Sequence, residues 1–240
     1  MGNEHTSKQF DNELESIRAR VLKMGGLVEQ QITQAIEALS NGDISLAERI
    51  NAQDHEVNAM EVGIDEDCTH IIARRQPAAG DLRLIVAVIK TITDLERIGD
   101  EAAKIARMTK VVHGTDRIYR PRIVELRHAA GIGVQMLRKS LDSFARLDTA
   151  TAAQVLRDDQ QVDDAFRGIL RQLITFMMED PRTISPSIEI LFAAKALERI
   201  GDHAKNIAEY VIYLVKGKDV RHISVDVVER EVLNELGSLG

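Results

Sequence analysis

The chain has 240 residues, 44% of them hydrophobic and 29% charged, but only 3% aromatic and none Trp. Its core must therefore be built from Leu, Ile, Val, Ala and Met, the composition of packed helices. Acids outnumber bases 38 to 31, for a net charge of -7 with no long basic stretch, which argues against a nucleic-acid partner.

Cys68 is the single cysteine. It excludes an intrachain disulfide framework, suits a reducing compartment and reads as a small buried apolar residue. The longest apolar run, LIVAVI at 84–89, is far short of the ~20 residues of a membrane span. MGNEHTSKQF at the N-terminus has no apolar stretch of the signal-peptide kind.

Helical periodicity dominates in chain order. From Phe10 apolar residues fall at Leu14, Ile17, Val21, Met24, Val28, Ile32, Ala35 and Leu39, one face of a long helix stopped by Asn41-Gly42-Asp43. Ile50, Val57, Ile64 and Ile71 define a second, ended by Pro77 and Gly80. A third carries Ile85, Val88, Ile92, Leu95, Gly99, Ala102 and Ala106 up to Val112-His113-Gly114. Short turns between rods of this length force antiparallel neighbours, so the three make a bundle. The remainder repeats the plan: Asp43, Ile50, Asp54, Val57 and Asn58 recur as Asp148, Val155, Asp159, Val162 and Asp163. Six helices are predicted near 8–40, 43–76, 81–112, 118–147, 149–180 and 186–216. The expected fold is all-α, two tandem pseudo-symmetric three-helix bundles over 8–113 and 117–217 with a hinge near His113 to Tyr119, followed by a polar C-terminal tail over 218–240.

The clearest repeat is LERIGDEAAKIA from Leu95 and LERIGDHAKNIA from Leu197, identical at nine of twelve positions. Glu96 and Asp100 sit one turn apart on one face, as do Glu198 and Asp202. Counting back from the turn at Gln76 to Asp54 gives about 33 Å of helix, and forward from Ala79 to Asp100 about 31 Å. Antiparallel pairing thus sets Asp54 and Asn58 beside Asp100 and Glu96, and Asp159 and Asp163 beside Asp202 and Glu198. Such layers of oxygen donors suit Mg²⁺, Mn²⁺, Fe or Zn²⁺, with the second layer the stronger because it has one more carboxylate. The plainer reading is a salt-bridged face, with Arg97 and Lys104 flanking Asp100, and Arg199 and Lys205 flanking Asp202. Gly99 and Gly201 would admit close helix approach, and His203 reads as exposed.

The LERIGD pair, RQP-x-A-x-DLR at Arg75 to Arg83, ELESIR-x-x-V-x-x-MGG at Glu13 to Gly26 and MMED-x-RTI at Met177 to Ile184 together resemble the PhoU family, accessory proteins of bacterial phosphate-specific transport. The likeness runs from about residue 8 to about 223. It implies tandem three-helix bundles, a homodimer, a cytoplasmic location and metal ions on E(D)xxxD motifs. Those motifs are Glu96 with Asp100, Glu198 with Asp202 and Asp159 with Asp163; in the fourth, Asp54 is paired with Asn58, a neutral amide. The resemblance also implies a non-enzymatic negative regulator of the phosphate-starvation response and of phosphate uptake. It would act as an adaptor between the ATPase subunit of the phosphate ABC transporter and the sensor histidine kinase of the phosphate two-component system, reaching the membrane only through them. The hairpin tips at Arg75 to Arg83 and Glu179 to Ser187 are candidate contact points.

Two other readings compete. A ferritin-like metal-carboxylate enzyme needs Glu-x-x-His, but Gly99 and Gly201 stand three residues after Glu96 and Glu198. The other is a metal-binding or purely structural bundle. No catalytic triad or Gly-x-x-x-x-Gly-Lys phosphate loop is evident, and no obvious phosphate pocket is expected.

Overall fold

A computed structural model of the chain describes residues 8–114 and 124–236. Seven α-helices run as α1 (Lys8–Asn41), α2 (Ile44–Arg75), α3 (Ala79–Gly114), α4 (Val124–Arg146), α5 (Thr149–Glu179), α6 (Ile184–Lys216) and α7 (Val225–Leu236), with a 3₁₀ turn at Pro181–Thr183 before α6. No strand occurs among the described residues. Most of the expected hinge, 115–119, and the predicted helix start at 118–123 lie outside them, while His113 and Gly114 belong to α3.

Local chemistry sets the boundaries. Asp43 accepts the Leu46 amide at 2.9 Å and Asp148 accepts those of Ala150 and Thr151 at 2.9 and 3.2 Å, so each copy caps its second helix with the same aspartate. The residue before each cap turns left-handed, Gly42 at φ 70° and Leu147 at φ 56°. Glycine takes that conformation without penalty; leucine does not.

Helices α1, α2 and α3 pack on one another, as do α4, α5 and α6, and the long central helices α3 and α6 then pack together most extensively of all, with α1 against α4. The buried hydrophobic residues form one continuous core through both bundles, from Ile17, Val21 and Met24 through Ile92, Leu95 and Ile98 to Phe144, Leu197 and Ile200. The two copies are therefore fused along the α3–α6 seam rather than hung on a linker. Cys68 is buried, and burial, then the charges of Asp65 and Asp67, push its thiol up to about 12, which keeps it protonated.

The C-terminal segment departs from the expected polar tail. Val220 and Val228 are buried, Ile223 and Val225 pack against the core, and α7 lies on α5 with Glu229 2.6 Å from Arg157. Four aliphatic residues interspersed with charges were enough for one amphipathic turn-and-helix, a pattern too short to stand out by periodicity. No helix of the described residues is long and apolar enough to cross a membrane.

Leu147 keeps an exposed side chain while holding a strained backbone. Leu147→Gly and Leu147→Asn are expected to raise unfolding free energy by about 0.5–1 kcal/mol, strain relief exceeding the entropy added to the unfolded chain. Urea denaturation followed by circular dichroism measures this; destabilisation by both variants would show that the leucine packs usefully.

Candidate metal centre

The acid positions lie where α2 meets α3 and where α5 meets α6. In the first copy Gly99 marks the crossing: a Cβ there would stand 3.1 Å from Gln31 Oε1, 3.5 Å from Val57 Cγ1 and 3.6 Å from Asp54 Oδ1. Glycine leaves room for this close approach, which a Cβ would crowd at Gln31. Asp54 reaches Asp100 and Glu96 as the helix register predicts. Burial and then the Asp100 charge hold the carboxyl of Asp54 above its ordinary value, and burial, Asp100, Glu61 and Asp54 do the same to Glu96. Asp54 Oδ1, Asn58 Oδ1 and Gln31 Oε1 are buried with no hydrogen-bond partner.

Glu61 belongs to this layer and was not foreseen. Its carboxyl is raised, chiefly by burial, with Thr93 beside it lowering it in part, and it raises Glu96 in turn. The signal was present: Asp54, Asn58 and Glu61 follow the i, i+4, i+7 stripe of one helix face. In the second copy the equivalent of Glu61 is Phe166 and that of Thr93 is Lys195. Lys195 there lies 5.5 Å from the Phe166 ring and 2.6 Å from both oxygens of Glu198. Each layer thus has four carboxylates: Asp54, Glu61, Glu96 and Asp100, or Asp159, Asp163, Glu198 and Asp202. The expected surplus of one acid in the second layer does not hold.

In the second layer Asp202 is pushed up to about 6, by burial first and then by Glu198 and Asp159, and Asp163 is raised by burial, Asp159 and Glu198. Lys205 reaches Asp159 at 2.7 Å and Arg167 reaches Asp163 at 3.7 Å. In the first, Arg97 stands 3.4 Å from Glu96 and 3.7 Å from Asp100. The other expected partners are engaged elsewhere: Lys104 at 2.7 Å and Arg199 at 2.8 Å both bind the buried Glu101. His203, expected to be exposed, is largely buried with Nδ1 2.6 Å from Asp94 Oδ1 across the α3–α6 seam.

Among the described residues no three or more His, Cys, Asp or Glu side chains converge tightly enough to hold a metal ion as they stand. Lysine and arginine heads occupy part of the space between the acids. The donor chemistry nonetheless suits a hard cation: part-buried carboxylates, an amide oxygen beside them, buried oxygens without a hydrogen-bond partner, and protonation favoured first by burial and then by crowding.

The raised carboxyls carry a stability consequence. Between the ordinary aspartate value of 3.8 and about 6, folded Asp202 binds more protons than the unfolded chain, so its contribution to stability falls as pH rises through that window. Asp202→Asn should therefore raise the thermal midpoint of the EDTA-treated protein at pH 7.5, with the gain shrinking toward pH 4.5. Calorimetry across pH tests it; a gain independent of pH would refute the assignment.

Comparison with known proteins places this geometry in context. A family model described as the PhoU domain matches twice, over residues 21–109 and 126–211, one match per bundle. The Phosphate-specific transport system accessory protein PhoU homolog of Pseudomonas aeruginosa is 49% identical over 234 residues, 97% of this chain and 96% of that protein. The Phosphate-specific transport system accessory protein PhoU of Escherichia coli is 48% identical over 228 residues, covering 95% and 94%. The crystal structure of PhoU from Pseudomonas aeruginosa superposes with a TM-score of 0.83, covering 87% of this chain and 100% of that one at 49% identity. That of the phosphate transport system regulatory protein PhoU from Streptococcus pneumoniae gives 0.81 at 28% identity, over 88% and 99%. With both repeats matched and near-full-length relatives at almost half identity, this chain belongs to the PhoU family.

Proposed function

We propose that this protein is a non-enzymatic accessory protein of phosphate-specific transport that binds metal ions on its two acid layers and restrains phosphate uptake and the phosphate-starvation response. Membership in the PhoU family, with the relatives' printed role in phosphate transport, is the observation that carries the reading. It acts in the cytoplasm as a homodimer. Its partners are the ATPase subunit of the phosphate ABC transporter and the sensor histidine kinase of the phosphate two-component system. Two pseudo-equivalent helical faces on one rigid body suit such a bridge. A bridge shifts a kinase or transporter only if it binds one of the partner's states more tightly, so repression requires that difference and not affinity alone.

The metal part of the proposal rests on the residues. Asp54, Asn58, Glu61, Glu96 and Asp100 would hold a divalent or transition ion in one layer, and Asp159, Asp163, Glu198 and Asp202 in the other. The ion supplies positive charge where burial and crowding make ionised carboxylates costly, which lowers their proton affinity and fixes α2 on α3 and α5 on α6.

Two measurements check the proposal. Titration calorimetry with Mn²⁺ or Zn²⁺ should show Glu61→Gln weakening the first layer as much as Glu96→Gln does, and Glu198→Gln weakening the second. No ion uptake by the wild-type chain, or Glu61→Gln behaving as wild type, would overturn the ligand set. Separately, a strain lacking the gene should express alkaline phosphatase constitutively in phosphate-rich medium and be repressed again by this gene. Failure to complement rejects the regulatory role while leaving the metal reading intact.

A further inference from the structure

Between the two acid layers the α3–α6 seam opens into a groove of about 460 Å³ lined by Ile89, Lys90, Thr93, Asp94, Arg97, Arg199, His203 and Tyr210. On a protein of net charge -7 this groove gathers three permanent cations against one acid. That acid is spoken for. Asp94 is buried and accepts from His203 Nδ1 at 2.6 Å, from Asn206 Nδ2 at 3.1 Å and from the Tyr210 hydroxyl. Its charge organises the floor and is largely offset there.

The cations are less committed. Arg97 is half exposed and only loosely set against Glu96 and Asp100 at 3.4 and 3.7 Å. Arg199 is half exposed, with one nitrogen, Nη1, on Glu101. Lys90 stands over the rings of Tyr210 and Tyr213 at 5.3 and 5.8 Å. Arg97 and Arg199 are equivalent residues of the two copies, brought to the same groove by the antiparallel crossing of α3 and α6. Paired guanidinium forks match the oxygens of a phosphate group, for which lysine is the looser point charge. From Lys90 to Arg97 is about 10 Å along α3, more than one phosphate spans.

The rest of the lining describes the body of the ligand. With Nδ1 of His203 taken up by Asp94 at 2.6 Å, Nε2 is the ring atom left to meet a hydroxyl or amino group of a ligand. Ile89 and the Tyr210 ring offer an apolar wall, and the Thr93 hydroxyl a polar contact beside it. Burial, and then the Asp94 charge, keep the Tyr210 phenol protonated throughout the physiological range. The volume is that of a small-molecule site and too small for a partner helix.

We propose that this groove binds a nucleoside phosphate, its phosphates between Arg97 and Arg199 with Lys90 at the far end, and its sugar and base against His203, Ile89 and Tyr210. Binding in the groove does not require metal on the acid layers, so the test excludes metal. ATP and AMP are titrated calorimetrically into the full-length chain in EDTA, alongside adenosine, pyrophosphate and an acidic glutamate peptide. Saturable ATP binding is expected, weakened at least tenfold by Arg97→Gln and by Lys90→Gln, with both variants matching wild type in helicity and cooperative unfolding. Arg199→Lys, which keeps the charge beside Glu101 but loses the fork, should weaken ATP at least fivefold. The proposal is overturned if ATP does not bind at millimolar concentration or if the variants bind it unchanged. It is also overturned if adenosine or pyrophosphate binds as tightly, or if the acidic peptide is the tighter ligand.

Discussion

Carboxylates held half-buried in a helix seam are the constraint around which this molecule is arranged. Asp54, Glu61, Glu96 and Asp100 on one side, and Asp159, Asp163, Glu198 and Asp202 on the other, crowd the seam, all part-buried except the exposed Asp202. Burial, and then the charge of their neighbours, raises several of their proton affinities, Asp202 to about 6. A bundle can carry such a cost only if its remaining contacts are strong, and here they are: the aliphatic core runs unbroken from α1 to α6 through the α3–α6 seam.

The duplication shows which features of that arrangement are required. Glycine at 99 and 201 is kept in both copies because side chains of α2 and α5 lie against the α3 and α6 backbones there, Val162 coming within 3.3 Å of a Cβ on Gly201. The fourth acid is kept in number but not in position. The first copy holds an amide at Asn58 and an acid one turn on at Glu61; the second holds Asp163 and an aromatic at Phe166. The facing residue changes with it, Thr93 standing beside Glu61 where Lys195 covers Phe166. The number of carboxylates in the layer is thus the same in both copies, and their exact placement is not.

The helices, the repeat and the α2–α3 and α5–α6 registers were legible because they depend on spacing within one hairpin, where 1.5 Å per residue converts sequence into level. What escaped depends on contacts between hairpins. Nothing near Arg199 announces that it will cross to Glu101 rather than pair with Asp202, nor that His203 will be drawn to Asp94 and away from solvent. These partners lie about a hundred residues apart and break the internal symmetry, since the counterpart of His203 is Glu101 and that of Asp94 is Ala196. Sequence symmetry between the copies therefore gives no guide to these contacts. Glu61 was readable in principle, on the heptad stripe of Asp54, but fell outside the motif that drew attention to its neighbours.

Arg97 joins the two halves of the functional argument. Its guanidinium sits between the first acid layer, with Glu96 and Asp100, and the groove on the seam, which it shares with Arg199. It can satisfy one of them fully but not both. If the layer takes a cation and the groove an anion, as proposed, a cation on Glu96 and Asp100 would free Arg97 for the groove, and an anion in the groove would draw Arg97 off the acids; the two occupancies would then favour one another by equal amounts. The second layer has no such connection, because Arg199 is tied to Glu101 and Lys195 turns to Glu198 and Phe166. The two pseudo-equivalent layers are therefore unequal in what they can report: the first is wired to the surface between the bundles, and the second stands apart from it.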